Sequence, residues 1–361
     1  MRRSGIAAAA ALAMTGITGA AHAQSSVTIF GLLDLNYAHL SGQGNGSQNI
    51  LGNDGYQSSR IGFRGVEDLG GGLKAGFWLE AAINPDDGRG GATNTNNQTT
   101  GGAVSGIGGG QGLTFGRRST VSLMGAWGEV RVGRDYVPGF WNLSVFSPFG
   151  TNGVGTAGSL FYPVQGAARI THVRASNSIG YLLPKLGGFY GQAMYAMGEN
   201  ASNAGATADD GRVAGLRVGY ASGPVDVALG TTQTKINSVG NLTQTNLGAS
   251  WNFGVAKPMV LWNENKVGAT RTRTWLVGAN VLVGPGVIRV AYSRVNTDRV
   301  ANDADQWALG YVHNLSKRTA LYANWSRISN KNGGTTYNVG RATTVPGGSS
   351  SGFELGVRHS F

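Results

Sequence analysis

The stretch that decides the fold is Ser351-Gly-Phe-Glu-Leu-Gly-Val-Arg-His-Ser-Phe361, at the end of the chain. Within it, apolar Phe353, Leu355 and Val357 alternate with small or polar residues. A period of two predicts a strand with one apolar and one polar face. The last residues of soluble domains are usually frayed. A strand that ends on Phe361 therefore suggests the closing strand of a barrel.

Composition limits how such a chain could cross a membrane. Beyond the N-terminus, no apolar run reaches the roughly 18 residues that a spanning helix needs. Any crossing would therefore use strands. The sequence has no Cys, which excludes disulfides, thiol chemistry and Cys-based metal sites.

The first 23 residues have the order of features of a signal peptide. Arg2 and Arg3 precede an apolar segment at residues 6–18, and Ala21-His22-Ala23 is a small-x-small cleavage site. We predict cleavage after Ala23, export, and one mature domain at residues 24–361. Loss of the two arginines lowers the formal charge from +11 to +9. Such an excess favours nucleic acid, an anionic membrane face or an anion pathway, and export argues against nucleic acid.

The same alternation recurs along the chain, for example at residues 27–37, 60–64 and 73–83. Strand-like segments are joined alternately by short and long links. The short links are residues 69–72, 125–128, 184–187, 222–224, 252–257, 284–286 and 315–318, and the long links are residues 84–112, 136–172, 199–211 and 330–350. About sixteen strands of roughly ten residues predict an all-β fold, an antiparallel transmembrane barrel with short periplasmic turns and long outer loops. A closed sheet also leaves no unpaired edge in lipid.

Aromatic residues occur at the ends of the predicted apolar faces. They are Tyr37, Tyr220, Trp251, Trp275, Tyr292, Trp307, Tyr311, Trp325 and Phe361. Rings with one polar side lie well at the headgroup level, so together they indicate the girdles of a membrane barrel.

Several motifs extend this interpretation to a family. They are SVTIFGLLD at residues 26–34, SRIGFRGVEDLGGGLKA at 59–75, FGRR at 115–118, GEVRVGR at 128–134 and GVRHSF at 356–361. In order along the mature chain, these segments resemble the general trimeric porins of β-proteobacteria. The resemblance implies a sixteen-stranded homotrimeric barrel in the Gram-negative outer membrane. It also implies a third outer loop that folds into the lumen and a terminal Phe361 that the barrel-assembly machinery recognises.

Residues 136–172 fit that inward loop by order and length, and a loop of this size is rarely without a function. Its aromatic residues are Phe140, Trp141, Phe146, Phe149, Phe161 and Tyr162. So many rings would pack sensibly against a barrel wall. The segment contains no acidic residue, whereas members of the family commonly carry carboxylates on this loop. The sequence therefore leaves undecided which residues form the acidic side of the pore.

A basic wall is the expected partner of this loop. The candidates are Arg60, Arg64, Arg117, Arg118, Arg131, Arg169 and Arg174. Alternation turns Arg60 and Arg64 inward, and by position Arg169 resembles an arginine that follows the inward loop in the family. Arg117 matches the family's Phe-x-Arg motif, whereas alternation favours Arg118, so both stay candidates.

Acidic partners for this wall are fewer. Glu80 is the best candidate, because Leu79 and Ala81 face the other way, and Asp34 and Asp135 are weaker ones. For each arginine, the alternatives are a solvated lumen residue or one that tethers the loop.

Guanidinium groups around a narrow passage concentrate anions and repel cations, and arginine stays charged at physiological pH. We therefore expect passive diffusion of small hydrophilic solutes and ions, with a preference for anions. Outer-membrane lipid, including lipopolysaccharide, is the other expected partner. The alternatives are a substrate-selective channel with a binding site on the aromatic loop and a barrel-based adhesin.

The sequence offers little for catalysis or cofactors. His39, His172, His313 and His359 are scattered and lack metal-ligand spacing. The Gly-rich run at residues 106–110 lacks a following helix pattern, so a phosphate cradle is unsupported. No acid, base and nucleophile can be assembled. We predict neither an enzyme nor a metal or cofactor site.

Overall fold

The computed structural model describes residues 26–102, 112–162, 167–300 and 302–361. The predicted signal peptide and the Gly-rich run at residues 106–110 lie outside the described residues. The strands are β1 Ser26–Gly42, β2 Gly46–Asn53, β3 Arg60–Gly70, β4 Leu73–Asn84, β5 Arg89–Gly90, β6 Arg118–Gly125, β7 Gly128–Tyr136, β8 Arg174–Leu182, β9 Phe189–Ala196, β10 Val213–Ser222, β11 Val225–Thr234, β12 Leu242–Trp251, β13 Ala256–Val267, β14 Thr270–Val283, β15 Gly286–Thr297, β16 Ala304–Asn314, β17 Thr319–Asn330 and β18 Ser349–Ser360.

The strands form one closed antiparallel sheet, in which β18 pairs with both β17 and β1. Two of these segments are not separate strands of the barrel wall. β2 pairs with residues 35–42 of β1 and β3 pairs with residues 26–32, so β2 and β3 together form one interrupted barrel strand. β5 is a two-residue strand that pairs only with β4. The barrel therefore has sixteen strands, which confirms the predicted fold.

The closing strand pairs higher on β1 than the sequence suggested. Pairing of the last strand with the first alternating segment of the sequence would place β18 beside residues 27–37. It pairs instead with residues 32–42, and the backbones of Phe361 and Gly31 exchange hydrogen bonds. Closing a barrel requires such a stagger between neighbouring strands. Residues 26–30 of β1 consequently extend past the end of β18 and pair only with β3.

Alternation separates the two faces as predicted. Phe353, Leu355 and Val357 are 40%, 49% and 43% exposed on the outer surface, whereas Glu354 between them is buried inside. The apolar core lies inside the barrel, where Leu143, Phe146, Phe149, Leu160 and Phe161 pack against the wall. One rim carries the short turns, and we call it the periplasmic rim. The other carries the long loops, and we call it the outer rim. Among the described residues, no helix is long and apolar enough to cross a membrane.

Candidate pore constriction

The described parts of the segment at residues 136–172, which are residues 136–162 and 167–172, lie inside the barrel. They contain two short helices, α1 Phe140–Val145 and α2 Gly158–Phe161, and a 3-10 turn at Ala167–Arg169. The backbone N–H of Gly139 donates to Thr232 Oγ1 at 2.9 Å, and Asn142 Nδ2 donates to the carbonyl of Ala228 at 2.9 Å. The inward loop is thus bound to the lumen face of β11, because Thr232 and Ala228 lie on that strand.

The next strands hold the second half of the loop. Asn265 Nδ2 donates to the carbonyl of Phe161 at 2.7 Å, and Thr274 Oγ1 donates to that of Leu160 at 3.2 Å. Arg217 Nε donates to Asn142 Oδ1 at 2.7 Å. Arg217 therefore tethers the loop, which is one of the two roles that the sequence left open for such arginines.

Glycines on the inner wall provide the space in which the loop lies. A Cβ at position 248 would lie 2.1 Å from the Phe146 ring, and one at position 278 would lie 2.7 Å from Pro148. A Cβ at position 310 would lie 3.0 Å from the Phe149 ring. An isolated glycine in a strand often marks such an approach. That signal was present in the sequence, but which segment approaches each glycine could not be read from it.

The aromatic residues of the loop fill this interface. Phe146, Phe149 and Phe161 are fully buried, and Phe140 is nearly so. Trp141 is half-buried, 4.9 Å from the ring of Tyr136. The buried rings face the wall and stabilise the loop by excluding water from it.

On the opposite wall, Glu80 gathers the first group of arginines. Its Oε1 accepts from Arg117 Nε at 2.6 Å and lies 3.4 Å from Arg60 Nη1. Its Oε2 accepts from Trp78 Nε1 at 3.0 Å. Glu80 is buried, and so is Arg117. The carboxylate therefore holds two guanidinium groups at fixed positions.

Tyr136 extends this group towards the inward loop. Its hydroxyl accepts from Arg117 at 3.0 Å and from Arg174 at 2.7 Å, and the Arg174 guanidinium lies 4.3 Å from its ring centre. We call Arg60, Glu80, Arg117, Tyr136 and Arg174 the Glu80 cluster. It contains three guanidinium groups and one carboxylate, so the cluster carries net positive charge.

Both Arg117 and Arg118 turn inward. Arg118 stands opposite Glu80 in the register of β4 and β6, and its guanidinium lies 4.6 Å from the Trp78 ring. Arg117 precedes β6, and its backbone N–H donates to the Glu80 carbonyl. Strand alternation does not apply to Arg117, because that residue lies outside the regular strand. The two candidates are therefore not exclusive.

The remaining candidates lie apart from this cluster. Arg131 binds Asp135 at 2.8 Å and Glu129 at 2.7 Å, and Asp135 also lies 3.9 Å from Arg118. Exposed Arg64 lies over the Phe30 ring at 5.3 Å. These side chains form a second group of charged residues on the same wall.

Asp34 does not serve as an acidic partner of these arginines. Its carboxylate accepts from the backbone N–H groups of Tyr56 and Gln57 and from the Tyr322 hydroxyl. Among the described residues it forms no ion pair. The expectation that Asp34 would oppose the basic wall needs correction, because these donors already occupy the buried carboxylate.

A water-accessible cavity of about 690 Å³ lies between the inward loop and the wall. Its basic lining includes the candidates Arg117, Arg169 and Arg174, together with Arg134 and Arg341, and its acidic lining is formed by Asp54, Asp86, Asp87 and Glu354. Sequence reasoning missed Arg134 and Arg341. Arg134 is on β7, where the irregular pairing next to it obscured its parity, and Arg341 is in a long outer loop.

Two titratable groups near the end of the loop, His172 and Tyr162, are uncharged at physiological pH. His172 Nδ1 contacts the carbonyl of Arg169, and burial lowers the pKa of His172 to about 3. Burial also raises the pKa of Tyr162, whose ring is 4.2 Å from that of His172, to about 12. Both groups stay neutral at physiological pH, so the charge near Arg169 comes from arginine.

One carboxylate and one backbone carbonyl of the wall bind the tip of the loop. Glu354 Oε1 accepts from the backbone N–H of Val154 at 3.2 Å and from Asn324 Nδ2 at 2.6 Å. The Asp54 carbonyl accepts from the N–H of Gly153 at 3.0 Å. Glu354 therefore holds the tip of the loop through its carboxylate, and Asp54 does so through its backbone carbonyl. Alternation in the closing strand does place Glu354 inside, but its partner in the loop could not be predicted.

We expect replacement of Asp54 by asparagine to flatten the pH dependence of stability. Burial raises the pKa of Asp54 to about 6, although the Ser59 backbone N–H opposes this shift. A raised carboxyl pKa stabilises the fold fully below pH about 4 and loses that contribution as pH rises through about 6. The parent should lose up to about 3 kcal/mol of unfolding free energy between those values. Urea unfolding at pH 4 and pH 7.5 measures this, and parallel pH profiles for parent and Asp54→Asn would contradict it.

A closed antiparallel barrel of sixteen strands, narrowed by a loop folded into its lumen, defines an outer-membrane pore protein. The sequence matches the profile of the Gram-negative porin family over residues 7–333, and the chain belongs to that family. Localisation to the Gram-negative outer membrane and a passive channel function follow from this membership.

Individual relatives agree with the family assignment. Outer membrane porin protein 32 of Delftia acidovorans is 40% identical, covering 97% of this chain and 98% of its own. An outer membrane porin protein of Bordetella pertussis is 28% identical over 89% of this chain and 93% of its own. The solved structure of an anion-selective porin from Comamonas acidovorans is 38% identical and superposes with a TM-score of 0.80, covering 94% of this chain and all of that one.

Proposed function

We propose that this porin conducts small hydrophilic solutes with a preference for anions, through a constriction between the inward loop and the Glu80 cluster. The observation that carries the proposal is the charge balance there. Arg60, Arg117 and Arg174 surround the single carboxylate of Glu80, and the opposing segment at residues 136–172 has no acidic residue.

Simple electrostatics supports a measurable effect. In a water-like dielectric, a unit charge about 6 Å from an ion's path contributes roughly 0.7 kcal/mol, or roughly a threefold change in local concentration. Each uncompensated guanidinium therefore enriches anions and depletes cations by similar factors. Salt screens the effect over about 10 Å at 0.1 M, so the preference should be stronger in dilute salt.

We expect the double variant Arg60→Gln, Arg169→Gln to lose most of the anion preference. Both side chains are half-buried. Arg169 lines the cavity beside the loop, and Arg60 lies 3.4 Å from Glu80, farther than Arg117 at 2.6 Å. Loss of two charges should lower the anion-to-cation permeability ratio by roughly tenfold or more in dilute salt. The reversal potential of a planar bilayer across a KCl gradient measures it.

The matched control removes equal charge from the periplasmic rim, by Lys185→Gln and Lys317→Gln in two short turns. We expect its reversal potential to stay close to the parent value. A cation-selective parent would overturn the proposed preference. Equal shifts in the two variants would mean that the preference depends on total charge rather than on the constriction.

We further propose that the channel is a homotrimer without a catalytic step, and that the barrel-assembly machinery recognises Phe361. The position of Phe361 supports its recognition by that machinery, because its ring is 47% exposed on the outer surface and its backbone is paired with Gly31. Outer-membrane lipid, lipopolysaccharide and small anionic solutes are the other proposed partners. Phe146, Phe149 and Phe161 are buried against the wall, so these rings do not support a substrate-selective site on the loop.

A further inference from the structure

Arg64 lies on the inner wall on the periplasmic side of the Glu80 cluster. In the register of β3 and β4 it stands opposite Trp78, whereas Arg60 of the cluster stands opposite Ala82. Four residues of strand correspond to roughly 13 Å, so Arg64 lies that much nearer the periplasmic rim. Arg60 and Arg64 share one face of β3, because successive side chains of a strand alternate. A solute that leaves the constriction towards the periplasm therefore passes Arg64.

Two aromatic rings lie beside Arg64 on the same face of the wall. The ring centres of Phe30 and Trp78 are 4.9 Å apart. Trp78 Nε1 donates to Glu80 Oε2 at 3.0 Å, which orients the indole. The Phe30 ring lies across Gly62, where an added Cβ would be 2.4 Å from it. Contacts with the wall therefore hold both rings, and both remain half-buried rather than enclosed.

Guanidinium groups lie over these two rings. The Arg64 Cζ is 5.3 Å from the ring centre of Phe30 and 5.2 Å from that of Trp78. The Arg118 Cζ is 4.6 Å from the ring centre of Trp78. The negative face of an aromatic ring attracts a cation at such distances. We call Phe30, Arg64, Trp78 and Arg118 the Trp78 group, and it combines two positive charges with two rings that face the lumen.

Arg64 keeps its N–H groups available for a ligand. It is exposed, and among the described residues it forms neither an ion pair nor a side-chain hydrogen bond. Arg118 is partly occupied, because its Nε donates to Thr120 Oγ1 at 3.0 Å and lies 3.9 Å from Asp135. Arg117 in the Glu80 cluster is buried in an ion pair. The donors that a passing anion can reach most easily are therefore those of Arg64, beside two aromatic rings.

We propose that the Trp78 group binds aromatic carboxylates, with the carboxylate on Arg64 and the ring of the ligand against Phe30 and Trp78. A guanidinium group presents paired N–H donors that match the two oxygens of a carboxylate. Aromatic rings in offset or edge-to-face arrangements attract one another beyond the effect of burial alone. The site rests on the proposed function only in that anions must enter the lumen. It adds a class of ligand that charge alone does not select.

The test measures how sodium benzoate blocks the KCl current of the porin in planar bilayers, compared with sodium cyclohexanecarboxylate. The two anions carry the same charge and are similar in size, but only benzoate has an aromatic ring. In the parent, we expect benzoate to reach half-block at a roughly fivefold lower concentration. Phe30→Leu should lower this ratio to roughly twofold or less, because a ring contact is lost while Arg64 stays in place.

A second variant tests the charge that anchors the ligand. Arg64→Gln should raise the half-blocking concentration of both anions by roughly threefold or more. The matched control, Lys185→Gln, removes the same charge from an exposed periplasmic turn and should be blocked as the parent is. Equal block by the two anions in the parent, an unchanged ratio in Phe30→Leu, or equal weakening in Arg64→Gln and Lys185→Gln would each overturn the proposal. Circular dichroism and the urea unfolding midpoint verify that each variant is folded.

The ratio of the two half-blocking concentrations separates this site from the proposed anion preference. Because the two anions have the same charge, loss of the anion preference would weaken both blocks together, and it would appear in the KCl reversal potential of the parent. Failure of the Trp78 group as a binding site would instead bring the ratio to one in an anion-selective parent.

Discussion

Replacing Gly248 by valine is expected to displace the inward loop and to destabilise the barrel by about 3 kcal/mol or more. The first added carbon would lie 2.1 Å from the Phe146 ring, which is fully buried. Overpacking of this kind typically costs about 1–3 kcal/mol, and a β-branched side chain increases the overlap. Displacement of the loop should widen the passage. Single-channel conductance should therefore rise, while the unfolding midpoint in urea falls.

The control is Gly180→Ala on β8. Gly180 stands opposite Arg131 and Met194, so it also faces the lumen, but the nearest atom to an added Cβ is 3.6 Å away. Conductance and midpoint should stay near the parent values. If Gly248→Val conducts as the parent does, contact with the wall at this position does not hold the loop in the lumen.

The barrel could be predicted because its signals are local and repeated. Alternation in the closing strand assigned Phe353 to lipid and Glu354 to the lumen without knowledge of any partner. The register of β18 on β1 was harder to predict, because the stagger between strands depends on closure of the whole barrel. Local pattern thus determines which face a residue occupies, whereas global geometry determines what lies beside it.

The constriction was only partly predictable for the same reason. Glu80 and Arg60 follow from strand parity, but Arg117 lies just outside β6, where parity has no meaning. The contact of Glu354 with Val154 joins residues 200 positions apart. Only the folded loop brings these two together, so Glu354 could not be identified as the acid that holds the loop tip from the loop's own sequence.

Glu80→Gln is expected to be among the most destabilising changes of similar volume in the lumen. Glu80 is the carboxylate bound by Arg117 and Arg60, and Glu80 and Arg117 are both buried. Removing one partner of a buried pair leaves an uncompensated charge, at a cost of about 3–5 kcal/mol. The variant should also become more anion-selective, because a negative charge has left the passage. Urea unfolding and reversal potentials measure the two effects.

A double-mutant cycle separates the ion pair from the loss of a single side chain. The double variant Glu80→Gln, Arg117→Gln should recover part of the stability, with a coupling of about 1–3 kcal/mol between the two positions. The same cycle on exposed Asp87 and Arg89 provides the control, since water and salt screen that pair and its coupling should be much smaller. Additive effects at positions 80 and 117 would mean that the Glu80 cluster is not held together by this contact. Coupling confined to the buried pair would identify Glu80 as the residue that fixes the shape of the basic wall while lowering its charge.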